Sequence, residues 1–389
     1  MKNLCLLLAL MMALSILPLP VLGEGAVYSS GDYRYTLLPG GGAEITRYSG
    51  KETDLIIPAQ LDGHPVISIG KTAFALCSSA ISITVPEGVE CIAERAFDNC
   101  KHLVSIRFPD SIREMGCNPL LQCSELTEII VSDTHPYLQV RDGVLYSKPD
   151  RRLICYPEGL KVRSSYTVPE GIKEIGQYGF CRCSQLTQIT LPDGLEIIGA
   201  DAFSGCYRMQ TLRIPDSVVS MADNPFSGCE VLKKLIISDN HPFLELIDHV
   251  LFSKPDHRLI HYPQWLNQQS YTVPAGTRII DETAFFDCDK LQVIILPEGL
   301  EAIGKQAFAY CDALTHITLP HSLKTIEWGA FRFCDTLSSV EIPDGVEAID
   351  KTAFDECPLL TLKVAQNSYA HQWAKENGLN YVFFGIAFD

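Results

Sequence analysis

Phe180-Cys181-Arg182-Cys183-Ser184-Gln185-Leu186-Thr187-Gln188-Ile189-Thr190-Leu191-Pro192 decides the fold, because its spacing recurs along the chain. Ten cysteines (Cys77, Cys100, Cys123, Cys183, Cys206, Cys229, Cys288, Cys311, Cys334 and Cys357) stand 23, 23, 60, 23, 23, 59, 23, 23 and 23 residues apart. Phe lies three residues before every one except Cys123, where Leu120 takes its place. Apolar residues follow each Cys at three, six and eight places, and Pro normally at nine. Such a period marks a repeat protein. Within the unit, Ile189-Thr190-Leu191 alternates apolar and polar, the pattern of a half-buried strand. Pro192 stops that strand and Asp193-Gly194 turns the chain. One unit cannot close a core alone, so the coils must stack and share it. The fold class is therefore a repeat solenoid of strand-rich 23-residue coils, a dozen or so in number and roughly 60 Å long at about 4.8 Å per coil.

The two long intervals hold copies of one insertion. Asp133-Thr134-His135-Pro136-Tyr137 matches Asp239-Asn240-His241-Pro242-Phe243, and Val144-Leu145-Tyr146-Ser147-Lys148-Pro149-Asp150 matches Val250-Leu251-Phe252-Ser253-Lys254-Pro255-Asp256. Each reads as a strand, a Lys-Pro-Asp turn, a second strand and a Tyr-Pro stop. They are enlarged coils over about 133–168 and 239–273. Residues 24–64 are expected to cap the N-terminal end and 365–389 the C-terminal end, leaving 65–364 as the solenoid. Within the second cap, Tyr369, Ala370, Trp373 and Ala374 fall on one helical face, with Gly378 as the stop. Residues 1–23 have the basic start, short apolar run and small-residue end of a secretory signal peptide. The expected location is secreted or extracellular, with surface retention left open.

Of the 389 residues, 47% are hydrophobic and 20% charged, with a formal net charge of −16. The apolar fraction supports a large core. The acidic balance argues against a nucleic-acid partner, since phosphate recognition needs clustered Lys and Arg. No apolar run reaches the length of a membrane span.

Units such as Ile198-Gly199, Ala202-Phe203, Cys206, Met209 and Leu212-Arg213-Ile214-Pro215 resemble the BspA-type leucine-rich repeats of bacterial surface proteins. So do the Val-Leu-Tyr-Ser-Lys insertion, the opening Tyr35-Thr36-Leu37-Leu38-Pro39-Gly40-Gly41 and the closing Asn367-Ser368-Tyr369-Ala370. The resemblance covers the chain after its first segment and implies a solenoid of leucine-rich-repeat type. It further implies a binding or adhesion protein outside the cell, with an extracellular protein or glycan as partner, host matrix and mucosal surfaces included. A passive structural or antigenic surface protein is the alternative, and an enzyme on a repeat scaffold the third reading. The family supplies no ligand site at residue level.

The ladder cysteines are expected inside as small apolar groups, with disulfides or a metal site as the alternatives. Cys155 and His261 occupy equivalent places in the two insertions, which argues against one shared catalytic role. His257 and His261 read as surface strand residues, and His135 and His241, each before Pro, as turn residues with a bonded ring. No catalytic, metal or cofactor residue is assigned. Outward strand positions are the candidate partner face. Val293 and Ile295 are apolar where the preceding super-repeat has Gln188 and Thr190, so they are candidate anchors, with packing against the second insertion as the other explanation. His316, Thr318, Thr190 and Arg213 complete the expected face. Ile130 and Ile236, next to the insertions, are expected to be covered by them.

Overall fold

The computed structural model of the chain describes residues 26–161 and 163–384. The expected signal segment lies outside the described residues. The chain winds about fifteen turns spaced about 23 residues apart. That exceeds the dozen expected because strands outside 65–364, such as Ala43–Tyr48 and Tyr381–Phe383, join the same sheets.

Each coil contributes two short strands, as in Gln188–Thr190 and Ile197–Ile198. Corresponding strands of successive coils pair in parallel: Ser270–Thr272, Val293–Ile295, His316–Thr318 and Ser339–Glu341 form one such ladder. Their central residues (Tyr271, Ile294, Ile317 and Val340) are buried, and the flanking residues stand outside.

The ladder Phe side chains fill the middle. Phe285, Phe308, Phe331 and Phe354 stack with centroids 5.0, 5.2 and 5.1 Å apart and planes within 18°. Phe180, Phe203 and Phe226 repeat this at 5.6 and 5.7 Å. Tyr156 and Tyr262, read above only as part of strand stops, begin these stacks at 5.5 and 5.0 Å from Phe180 and Phe285. Trp373 closes the last stack, 6.0 Å from Phe354. It sits on the helix Tyr369–Glu376, whose Ser368 cap accepts a hydrogen bond from His371 N. Tyr369, expected on the buried face, is instead 43% exposed.

The cysteines of the described residues are free thiols. Cys100, Cys206, Cys311 and Cys334 each donate a hydrogen bond to the carbonyl of a Phe 26 residues earlier, at 3.1–3.2 Å. A small side chain with a weak donor suits this column. Burial pushes the Cys229 and Cys311 thiols up to about 12.

The insertions partition the interior. Each holds three antiparallel strands, not two: Leu138–Arg141, Val144–Ser147 and Arg152–Cys155 in the first, with Leu244–Ile247, Val250–Ser253 and Arg258–His261 in the second. The first hairpin turns at Asp142-Gly143, where both residues have positive φ, as a two-residue turn between twisted strands requires. The middle strands are buried on both sides. Val144 and Tyr146 join the core that continues through Phe180, while Leu145 joins the core around Phe97. Alternation of side chains thus makes each insertion a wall between two cores. The described residues form three cores in series.

Candidate partner-binding face

Val293, Ile295, His316 and Thr318 come together along one open groove of about 690 Å³. The register stacks Val293 on His316, and Ile295 on Thr318 and then Glu341. Ile295 is 55% exposed. No residue of 239–273 lines the groove, although Ser270 and Thr272 pair beside Val293 and Ile295 and Val293 is half-buried. The parallel ladder fixes the spacing of these side chains, and the buried row Ile294–Ile317–Val340 holds the strands down.

Thr190 and Arg213 do not belong to this groove. They lie on Gln188–Thr190 and Thr211–Arg213, in a different four-stranded sheet. The guanidinium of Arg213 is engaged by Asp193 at 2.7 Å. The expected face is therefore divided, because the wall at 244–261 interrupts the sheet.

Several groove residues escaped the sequence reading: Glu298, Pro320, His321, Pro343, Asp344 and Phe384. The first five lie in the turns that follow the strands. Their signal is the recurrent Pro and the polar residue after it, stacked coil upon coil. Phe384 comes from beyond the C-terminal helix, where no repeat points to it.

Ile130 is half-buried beside a second cavity of about 480 Å³, bounded by Leu138, Gln139 and Val140 of the first insertion. Ile236 is 36% exposed. The insertions therefore cover these residues only in part.

His135, His241, His257 and His261 divide into three structural situations. His135 and His241 are fully buried. Nε2 of each bonds a Pro carbonyl of the preceding coil (Pro109 at 2.9 Å, Pro215 at 3.1 Å). Nδ1 accepts the next backbone N–H groups, from Tyr137 and Leu138 or from Phe243 and Leu244. Nε2 is thus the protonated nitrogen, and burial lowers both pKa values. With every ring nitrogen engaged, this pair pins the insertion to the coil below. His241→Ala is expected to cost about 2–3 kcal/mol, since it orphans two buried N–H groups and a carbonyl. Urea unfolding would measure the loss, and a cost below about 0.5 kcal/mol would contradict the bonding role.

His257 is exposed in the turn before Arg258, not in a strand. His261 corrects the surface reading: it is 5% exposed, and its ring lies 5.5 Å from Phe226. A bulge pairs Leu251 with His261 but Phe252 with Leu259, and this extra residue turns the ring inward. Its counterpart Cys155 is buried by the same bulge. No group of three or more potential metal ligands occurs among the described residues.

A stack of parallel coils with a buried aromatic ladder and a polar strand face defines a leucine-rich-repeat solenoid. The chain belongs to the BspA type leucine-rich-repeat family, whose repeat region matches in 6 copies over residues 48–142, 160–268 and 262–374. It is similar to a leucine-rich cell surface protein of Faecalibacterium prausnitzii A2-165, at 26% identity and a TM-score of 0.55, over 93% of this chain and 96% of that one. The pneumococcal vaccine antigen PcpA shares the fold at 23% identity and a TM-score of 0.50, covering 88% of this chain and 82% of that one. No curated protein matches. Among the described residues no helix is long and apolar enough to cross a membrane.

Proposed function

We propose that the chain is a cell-surface or exported binding protein that holds its partner on the strand face of its C-terminal block. The observation that carries this is the half-buried Val293 and exposed Ile295 at the floor of a groove, on a face whose other outward positions are mostly polar. Apolar side chains displayed at the centre of a polar-rimmed surface are the usual anchors of recognition. The family supports a surface role, and the resemblance to a leucine-rich cell surface protein points the same way.

The test is a binding screen of residues 24–389 against immobilised matrix proteins, mucins and glycans. A Val293→Ser/Ile295→Ser variant, shown to be folded by circular dichroism, runs beside it. Saturable binding weakened about tenfold in the variant is the expected result, two part-exposed aliphatic groups being sufficient for one decade. Binding that the variant leaves intact would move the site elsewhere. No binding to any surface would favour a passive surface protein.

A further inference from the structure

The charges around the groove are arranged unlike those elsewhere on the same coils. Around the second strand of each coil, carboxylates are matched by cations one coil away: Arg278 with Glu301 at 2.8 Å, Lys305 with Glu282 at 3.4 Å, and Lys324 with Glu347 at 3.1 Å, Lys324 also donating to Gly345 O next to Asp344. The groove carries three carboxylates, Glu298, Glu341 and Asp344, and its lining includes no Lys or Arg. All three are exposed, and none makes an ion pair among the described residues; Glu298 only accepts a hydrogen bond from His321 N at 3.3 Å. Lys363 follows Glu341 in the strand register but does not line the groove. Two aliphatic side chains, followed on the next strand by His316 and Thr318, are thus edged by three carboxylates that form no ion pair among the described residues.

We propose that the groove binds an extended basic segment of a protein partner, an aliphatic side chain resting on Val293 and Ile295 and Lys or Arg side chains meeting Glu298, Glu341 and Asp344. The inference rests on the reading of this face as the partner site and adds the partner's chemistry. Charge complementarity selects the class, because opposite charge steers encounter and like charge excludes wrong partners. Length agrees with it. Three strands at about 4.8 Å spacing give a floor about 10 Å long, matching about three residues of extended chain at 3.3 Å each. The polar rim lets the charged ends of the segment stay hydrated while its aliphatic group is covered.

The probe is a fluorescein-labelled peptide with Lys on both sides of an Ile-Ile pair, titrated by anisotropy. Controls carry Ser in place of Lys, or Ser in place of Ile. The expected result is saturable binding that weakens with salt. It should fall about tenfold in Glu298→Gln/Glu341→Gln/Asp344→Asn, three exposed charge contacts together amounting to about one decade. It should also fall in Val293→Ser/Ile295→Ser, which removes the floor without adding charge.

If the Ser-flanked peptide binds equally well and the floor variant loses it, the basic partner is overturned while the partner face stands. Glycan binding that depends on the floor, without peptide binding, overturns the peptide class alone. A concentration-dependent dimer broken by the floor variant, seen by light scattering, makes the occupant a second copy and also overturns the inference. If neither peptide nor immobilised surface responds to the floor variant, the partner-face reading fails together with it.

Discussion

Phe308→Ala is expected to remove about 3–5 kcal/mol of stability, the range for excising a fully buried aromatic ring. Phe308 is wholly buried between Phe285 at 5.0 Å and Phe331 at 5.2 Å. The coil above and the coil below are both frozen against it, so the void cannot collapse without breaking the pairing on either side. Phe308 N donates to Ala330 O at 2.8 Å, and Cys334 donates to Phe308 O at 3.1 Å. In a solenoid each coil touches only its neighbours, and stability is nearly a sum of neighbour terms. One weakened interface should therefore do more than lower the midpoint. The coils on the two sides of position 308 should begin to unfold separately, with a shallower or biphasic urea transition in far-ultraviolet dichroism. Asp312→Ala is the matched control, since Asp312 is exposed on the outside of the same coil, and it should change stability by well under about 1 kcal/mol. A Phe308→Ala loss as small as that of the control would mean that the strand ladders, and not the aromatic column, hold the coils together.

The features legible in the sequence are those that the repeat copies. The Cys and Phe columns, the strand with its inward centre and outward flanks, and the capping helix all follow from residue spacing alone. Less legible are the features that depend on what packs across a coil boundary. The residue before each ladder Cys takes positive φ in all ten coils, from Leu76 to Glu356, yet only Gly205, Gly228, Asn99 and Asp287 are of residue types that favour it. The other six adopt it beside a Cys and a Phe or Leu that face the core. The middle strands of the insertions lack a polar face because both faces are covered, so alternation could not reveal that they divide two cores. At the groove, the outward strand positions were readable as a pattern. The turn residues that edge it were not, since each becomes a neighbour of the next only when the coils are stacked. Thr190 and Arg213 share the pattern of Thr318 and its neighbours but lie beyond a wall, which a linear period does not register.

Loss of stability at acid pH should depend on His261, and His261→Phe should remove that dependence. The imidazole is buried in an apolar environment, and neither ring nitrogen has a hydrogen-bond partner among the described groups. Burial holds its pKa down at about 3, against about 6.5 in an unfolded chain. The folded protein therefore keeps the ring neutral, while the unfolded chain takes up a proton first as the pH falls. The contribution is fully present above pH 6.5 and is lost between about 6.5 and 3, at up to about 1.4 kcal/mol per pH unit. Over the whole window this amounts to about 3–5 kcal/mol. Other groups pull the opposite way: burial raises Glu158 to about 7 and Asp201 to about 6, so their protonation favours the folded state as the pH falls through those values. The wild-type curve alone mixes these effects, and the difference between wild type and His261→Phe isolates one. At neutral pH, His261→Phe should be more stable by about 1–3 kcal/mol, because it removes unsatisfied buried nitrogens and extends the stack beyond Phe226. The gap should widen steadily from pH 6.5 to pH 4 in urea titrations. A gap that stays constant with pH would show that the ring has found a proton partner in solution, and that the wall between the second and third cores is wetter than its packing indicates.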